Sequence, residues 1–261
     1  MLLIDTHSHI FSDEFDTDRE AVLKRAAEVG VLYHILPNID STSTNRLLDT
    51  CNCFPQCFPL MGLHPTSVRN GFETEMYHVE EQLATSKFWG IGEIGIDLYW
   101  DKTYFAQQQE AFRHQLRLAK KFNLPVVIHS RNSFREIFDI VDQEIDNTLK
   151  GVFHSFTGTI DDYYHIDEYK TFLVGIGGIV TYKNGGVSGL VNHMNPQKII
   201  LETDSPYLSP VPVRGKRNES YNLIHIADKV AELLGATVEQ VAKQTTQNAV
   251  KLFKLQIDEI G

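Results

Sequence analysis

The chain has 261 residues, enough for one large domain and too few for two. Hydrophobic residues make up 42% of the sequence and charged residues 22%, so the chain can bury a substantial core, and its composition is not that of a disordered protein. The formal net charge of −10 argues against the broad basic face of proteins that grip duplex DNA. A nucleic-acid substrate would have to be attracted by bound cations and a local basic patch.

The N-terminal segment, MLLIDTHSHIF, has no basic residue at its start and no long apolar core, so we expect no secretory signal. No segment approaches the ~18 consecutive apolar residues of a membrane span. The three cysteines are clustered at Cys51, Cys53 and Cys57. A zinc site made of these thiolates is one interpretation, but the spacing lacks paired C-x-x-C motifs and the odd number favours free thiols. We therefore expect a cytoplasmic protein without membrane association.

Short apolar runs recur along the chain, rich in β-branched or aromatic residues and bounded by Gly, Pro, Asn or Asp. Their apolar residues are continuous rather than alternating, which is typical of parallel strands buried on both faces. The eight predicted strands are Leu2–Ile4, Val31–Leu36, Phe58–Gly62, Trp89–Ile94, Pro125–Ile128, Gly151–Phe153, Thr171–Ile176 and Lys198–Leu201.

Longer helical patterns separate these strands. The clearest are Asp13–Val29, Phe105–Phe122 and the C-terminal stretch Glu219–Leu255. Ser12 is the predicted N-cap of the first helix and Gly30 its end, whereas the last stretch should divide into two helices at Gly235, with Thr237 capping the second. Eight strands alternating with helices favour a closed (β/α)8 barrel of the TIM type, with an open doubly wound sheet as the alternative. Residues 1–261 are predicted to form a single domain.

Histidines and acidic residues fall where the predicted strands end. His7 and His9 follow the first strand, and residues two apart in an extended segment point to the same side. The other residues at strand ends are Glu93 in the fourth strand, His129 after the fifth, His154 after the sixth and Asp204 after the eighth. In a barrel these ends meet at one rim, where active sites are built.

Each of these residues has an ordinary structural explanation when taken alone. A histidine at a strand end is most often a hydrogen-bonded rim residue, and Glu93 could be a buried carboxylate paired with an arginine. Six such groups at one rim are hard to explain in that way, because buried charge costs several kcal/mol unless it is paired or bound to a metal. The pattern therefore predicts a metal centre.

The sequence resembles the TatD-type metal-dependent deoxyribonucleases of the amidohydrolase superfamily. The motifs that carry the resemblance are D-x-H-x-H from residue 5, G-L-H-P from 62, G-E-I-G-x-D from 92, H-S-R from 129, F-H-S-F-T-G from 153, E-T-D-S-P-Y-L from 202 and R-G-K-R-N-E from 214. D-x-H-x-H alone indicates only the superfamily, whereas the complete ordered set is specific. Ser155 and Ser220 depart from the family, which commonly has Cys and Pro there, and these departures concern substrate detail because neither residue is a predicted ligand.

The resemblance implies a metal-dependent hydrolase with two divalent cations per chain. The implied ligands are His7, His9 and Asp204 for one ion and His129 and His154 for the other, with Glu93 bridging both. Two cations ~3.5–4 Å apart can share a hydroxide and stabilise both the attacking and the leaving oxygen of a phosphodiester. Glu93 and Asp204 are accordingly the predicted catalytic residues, with Asp204 orienting the water and accepting its proton.

The identity of the metal is left open. Four imidazoles and two carboxylates suit zinc, manganese, iron, cobalt or nickel better than magnesium, which prefers oxygen ligands. The family is nevertheless usually regarded as magnesium- or manganese-activated, so Mg, Mn and Zn all stand as candidates. Asp5 is a candidate for positioning a ligand histidine, and capping of the following turn is an equal alternative.

Several other residues are candidates for substrate binding. His64 and Arg131 stand at strand ends where they could meet a phosphate or its leaving oxygen. Arg214, within the R-G-K-R-N-E loop, would supply the local basic patch, with a solvated charge run as the alternative. Three aromatic residues follow the fourth strand and could stack on unpaired bases, although closing the barrel mouth is the slightly favoured explanation. They are Tyr99, Trp100 and Tyr104.

The preferred function is hydrolysis of DNA phosphodiesters, by resemblance as a 3′-to-5′ exonuclease on single-stranded or frayed ends. DNA ends are therefore the expected partner, with no obligate protein partner. One alternative is hydrolysis of a small-molecule amide, ester or lactone, since a fold alone does not determine function. A second is a non-catalytic metal-binding protein, which would be expected to have lost at least one ligand. The sequence does not predict the oligomeric state.

Overall fold

The computed structural model describes residues 1–257, in which eight strands alternate with helices. The strands are β1 (Leu3–Asp5), β2 (Val31–Pro37), β3 (Cys57–Leu60), β4 (Ile91–Asp97), β5 (Val126–Arg131), β6 (Gly151–Phe153), β7 (Phe172–Ile176) and β8 (Ile199–Leu201). The helices are α1 (Arg19–Glu28), α2 (Ser41–Cys53), α3 (Phe72–Thr85), α4 (Phe105–Phe122), α5 (Phe134–Glu144), α6 (Ile160–Glu168), α7 (Leu223–Leu234) and α8 (Val238–Phe253).

The strands form a closed ring. Neighbours pair in parallel in the order β1-β2-β3 and β4-β5-β6-β7-β8. A parallel bridge between Met61 and Ile91 joins β3 to β4, and one between Ser8 and Ser205 joins the segments that follow β1 and β8. The predicted barrel is therefore confirmed, and the open-sheet alternative is wrong.

The core follows the alternation of side chains along each strand. In β5, Val126 and Ile128 belong to the large apolar cluster between strands and helices, whereas Val127 packs with Ile4 and Ile200 in a second cluster. Successive strand residues point to opposite faces, so this second cluster fills the barrel interior. Phe253, at the end of α8, also belongs to it.

The first helix differs from its prediction. Asp13–Phe15 forms a short 3-10 turn, α1 begins only at Arg19, and Ser12 makes no side-chain capping bond. Arg19 Nε donates to the carbonyl of Ile10 at 2.8 Å, and Phe15 is fully buried. These contacts fold the segment that follows β1 against the start of α1, which prevents a continuous helix from residue 13.

The other predicted helices agree with the structure. α4 has the predicted bounds, and α7 ends at Gly235, whose φ of 63° lies in the left-handed region. The Thr237 hydroxyl accepts the backbone N–H of Gln240 and caps α8. None of the described helices has both the length and the apolar character needed to cross a bilayer. The three cysteines are free thiols.

Candidate metal centre

Glu93 lies at the centre of a buried cluster at the carboxyl-terminal mouth of the barrel, with 2% of its surface exposed. Its Oε1 is 2.7 Å from His129 Nδ1 and 2.8 Å from His154 Nε2. Its Oε2 is 3.1 Å from His7 Nε2 and 3.6 Å from His9 Nε2. Among the predicted ligands, each oxygen of one carboxylate therefore faces a different pair of imidazoles, an arrangement suited to bridging two cations.

Asp204 completes the group around His7 and His9. Its Oδ1 lies 3.6 Å from the Nε2 atoms of both histidines. These three residues offer ligand atoms that all lie within 4.8 Å of one another. The backbone of Asp204 has a φ of 56°, a left-handed conformation that Asp tolerates better than most residues, and its N–H donates to the carbonyl of His7 at 2.9 Å. This turn brings the Asp204 carboxylate beside the end of β1.

Two of the predicted ligands lie within strands rather than at their ends. β4 continues to Asp97 and β5 to Arg131, so Glu93 and His129 are both internal. The two strands approach closely at Gly95, where a Cβ would collide with the backbone of His129. Position 95, which has a φ of 143°, therefore requires a glycine for β4 and β5 to bring Glu93 and His129 together.

Two buried carboxylates support the histidines that face Glu93 Oε1, and the sequence analysis assigned neither of them a role. Asp97 Oδ2 is 2.9 Å from His129 Nε2, and Glu202 Oε1 is 3.5 Å from His154 Nδ1. A carboxylate on the far nitrogen of a ligand histidine fixes its tautomer and orientation and makes it a stronger donor. Asp97 and Glu202 both lie inside motifs that carry the family resemblance, which is the signal that could have found them.

Glu202 occupies a space left by a missing side chain. A Cβ at Gly175 would collide with Glu202 Oε2, so only glycine leaves room for the carboxylate there. Glu202 Oε1 accepts the backbone N–H of Ser155, whose φ of 46° is unusual for a serine. Within residues 1–257, Oε2 has no hydrogen-bond partner. Gly175 and Ser155 thereby hold this carboxylate behind His154.

His64 faces Glu93 as a hydrogen-bond donor. Its Nδ1 accepts the backbone N–H of Thr66 at 3.1 Å, which uses the lone pair of that nitrogen. The neutral ring therefore carries its proton on Nε2, 3.1 Å from Glu93 Oε1. A protonated nitrogen is not a metal ligand, so this geometry favours the predicted substrate contact over membership of the ligand set.

Asp5 contacts the His7 backbone and not an imidazole. It accepts the His7 N–H at 3.4 Å, the Thr203 N–H at 2.9 Å and the Ser220 hydroxyl at 2.6 Å. Burial raises the pKa of Asp5 to about 6, although the hydrogen bonds from Ser220 and Thr203 lower it. Asp5 thus joins the segment after β1 to the segment after β8, and Ser220 supplies one of these bonds.

The cluster has a charge balance that suits cations. Burial raises the pKa of Glu93, but the surrounding imidazoles, His154 first among them, hold it well below its usual range. Burial lowers the pKa of His9, yet hydrogen bonds to Asp204 and Glu93 outweigh it and raise the pKa to about 9. The ionised carboxylates therefore demand compensating positive charge. Protons can supply it on the imidazoles, and the mixed nitrogen and oxygen donors fit divalent metal ions equally well.

A cavity of about 550 Å³ opens onto this cluster. Its lining includes His64 and Arg131, two of the predicted substrate-binding residues. Arg214 is not part of the lining, and its guanidinium lies 4.3 Å from the ring centroid of Tyr182. Arg217 from the same loop forms an ion pair with Asp18 at 2.7 Å, so it has a structural partner.

The comparisons with known proteins agree with this geometry. Residues 4–254 match the family described as TatD related DNase. The chain belongs to this family. The metal-dependent hydrolase YabD of Bacillus subtilis is 33% identical over 255 residues, which cover 97% of this chain and 100% of YabD. TatD of Pantoea ananatis, named a 3′-5′ ssDNA/RNA exonuclease, is 31% identical over 265 residues, covering 97% and 100%. The structure of the TatD homologue YjjV from Escherichia coli matches with a TM-score of 0.92 at 27% identity, covering 97% of this chain and 98% of YjjV.

Proposed function

We propose that this TatD-family protein is a metal-dependent hydrolase that holds two divalent cations and cleaves DNA phosphodiester bonds from the 3′ end of single-stranded or frayed substrates. The observation that carries the proposal is the division of the Glu93 carboxylate between two imidazole pairs. His7, His9 and Asp204 would hold one ion, and His129 and His154 the other. When bound, the two cations supply Lewis-acid activation of the phosphate and of an attacking water.

Asp204 is the proposed proton acceptor. Burial raises its pKa, but the hydrogen bond to His9 and the neighbouring imidazoles outweigh this effect and lower it, so the carboxylate is ionised at neutral pH. Asp204 also lines the cavity, where a water can reach it. His64 would donate its Nε2 proton in a hydrogen bond to a phosphate oxygen or to the leaving oxygen.

The choice of nucleic acid rests on the cavity and on a relative. Arg131 lines the cavity and is exposed, and within residues 1–257 it forms no ion pair with a carboxylate. Its guanidinium is therefore available to a phosphate. The Pantoea relative is named as an exonuclease on single-stranded DNA and RNA. A small cavity on a chain of net charge −10 suits a strand end better than a long duplex.

The test combines metal content with polarity of digestion. Elemental analysis of gently purified protein should find two ions per chain, and oligonucleotides labelled at either end should be shortened from the 3′ end. Glu93→Ala should retain less metal after brief chelator exposure than His9→Ala, because only Glu93 faces both imidazole pairs. Equal metal loss in the two variants would contradict the bridge. Turnover of an uncharged ester or lactone without cleavage of any oligonucleotide would replace the nuclease proposal with the small-molecule alternative.

A further inference from the structure

Two aromatic side chains, whose rings meet edge to face, and one arginine form an exposed group beside the cavity. Trp100 is 69% exposed and Tyr99 54% exposed. The Arg131 guanidinium lies 3.9 Å from the centroid of the Tyr99 ring and 5.1 Å from that of Trp100. Trp100 and Arg131 also line the cavity that contains Glu93. We refer to Tyr99, Trp100 and Arg131 as the aromatic platform.

The platform is attached to the candidate metal centre by a buried carboxylate. Asp97 Oδ1 accepts the backbone N–H groups of Tyr99 at 2.9 Å and of Trp100 at 3.2 Å. The other oxygen of Asp97 is the one that lies 2.9 Å from His129 Nε2. Because Asp97 is only 1% exposed, this connection is shielded from water. The same side chain thus orients a candidate ligand and fixes the start of the aromatic loop.

The exposure of Trp100 argues against the simpler explanation that these rings only close the barrel mouth. Side chains that seal a core lose most of their accessible surface, as Phe112 and Phe153 do here. Trp100 differs from other exposed aromatic residues such as Tyr77 because it lines the cavity, where a bound ligand would bury its large apolar surface. The cation beside the rings and the adjoining cavity indicate a ligand that has both a flat π face and a negative charge.

We propose that the aromatic platform binds an unpaired nucleobase of the strand whose phosphate lies in the cavity. This inference rests on the proposed function and names the part of the substrate that the platform recognises. Bases stack on aromatic rings and on arginine, and the contact is largely independent of base identity. A base within a duplex is covered by its neighbours, so the platform favours single-stranded or frayed ends of DNA or RNA.

Tryptophan fluorescence provides a direct readout of this contact. The sequence has two tryptophans, and the Trp89 ring packs against Phe58, near the start of β3 and away from the carboxyl-terminal mouth. In a Trp89→Phe background, Trp100 becomes the sole reporter. Metal-loaded protein should be titrated with phosphorothioate oligonucleotides, which resist cleavage. Four substrates are compared: single-stranded DNA, single-stranded RNA, a blunt duplex, and strands with abasic residues near the 3′ end. Both single strands should quench Trp100, and the abasic strands should bind about tenfold more weakly.

Substitutions separate stacking from a general loss of structure. Trp100→Ala should raise Kd and KM for single strands about tenfold with little change in kcat, and Trp100→Phe should restore part of the loss. Tyr77→Ala is the matched control, because Tyr77 is 70% exposed on α3 and does not line the cavity. The proposal that the aromatic platform binds a base would be overturned by equal Kd values for abasic and intact strands. Equal effects of Trp100→Ala and Tyr77→Ala would also overturn it. Either result would leave the nuclease proposal intact. Failure of the wild-type protein to cleave any end-labelled strand would instead overturn the proposed function.

Discussion

Glu202→Gln tests whether a buried carboxylate that touches no substrate sets the affinity for one ion. Glu202 is fully buried, and its Oε1 lies 3.5 Å from His154 Nδ1, the ring nitrogen that faces away from Glu93. The same oxygen accepts the Ser155 N–H. Glutamine has nearly the same volume, and its carbonyl can still accept that N–H. The substitution therefore removes the negative charge and leaves the space beside Gly175 filled.

The expected magnitude follows from the contact that is weakened. Loss of a carboxylate behind a ligand histidine typically lowers metal affinity ~10- to 100-fold. This corresponds to ~1.4–2.8 kcal/mol, since a tenfold change in affinity is ~1.4 kcal/mol. Among the candidate ligands in residues 1–257, His154 is the one in ion-pair contact with Glu202. One of the two binding events should therefore weaken, and the other should keep its wild-type affinity.

Calorimetric titration of the metal-free protein with Mn²⁺ resolves the two events. The matched control is Glu144→Gln, which neutralises another buried glutamate far from the cluster. Glu144 pairs with the cations Arg113, Arg117 and Lys120, so its loss should lower thermal stability without altering either metal affinity. Unchanged metal binding in Glu202→Gln, or equal weakening of both events, would refute the positioning role.

Two further predictions concern substrate charge and pH. Arg131→Ala should lower kcat/KM on oligonucleotides roughly 10- to 100-fold. Arg214→Ala should have little effect, because the Arg214 guanidinium stacks on Tyr182 outside the cavity lining. Steady-state kinetics in which Arg214→Ala is the more damaging substitution would contradict this assignment. The pKa of His9 is raised to about 9, and that of His154 lies well above its usual value. Below these pKa values protons compete with cations for the imidazole nitrogens. Metal affinity should therefore increase with pH up to about 9. Calorimetry in buffers of different ionisation enthalpy should show proton release on metal binding, and identical heats in all buffers would contradict the competition.

The strands were predictable because buried parallel strands carry continuous apolar runs. All eight runs correspond to observed strands, but the ends of β4 and β5 extend further than the apolar pattern indicated. Asp97 and Arg131, at those ends, are polar residues facing the mouth, and hydrophobicity does not report them. The start of α1 differs from the prediction for a related reason, since the hydrogen bonds from Arg19 to the carbonyls of Ile10, Phe11 and Ser12 leave no periodic pattern in the sequence.

Candidate ligands were easier to predict than the residues that support them. His7 and Asp204 follow directly after strands, so the barrel topology alone brings them to one rim. Glu202 faces His154 only because Gly175, on the neighbouring strand, lacks a side chain, and that complementarity joins residues far apart in the chain. The tautomer of His64 likewise depends on a local backbone turn. Sequence therefore indicates which groups converge, and the structure adds what orients them.

The distribution of arginines is compatible with the proposed action of an acidic chain on a polyanion. Arg25 and Arg217 are paired with Glu219 and Asp18, so they contribute little free positive charge to the surface. Within residues 1–257, Arg131 has aromatic rings and no carboxylate in ion-pair contact, so its charge is uncompensated at the cavity. Since affinity for nucleic acid grows with the number of phosphates neutralised, such a surface holds long duplexes weakly. Under the proposed function, recognition would depend on one phosphate held beside the cations and on one stacked base, and only a strand end or an unpaired segment exposes both groups together.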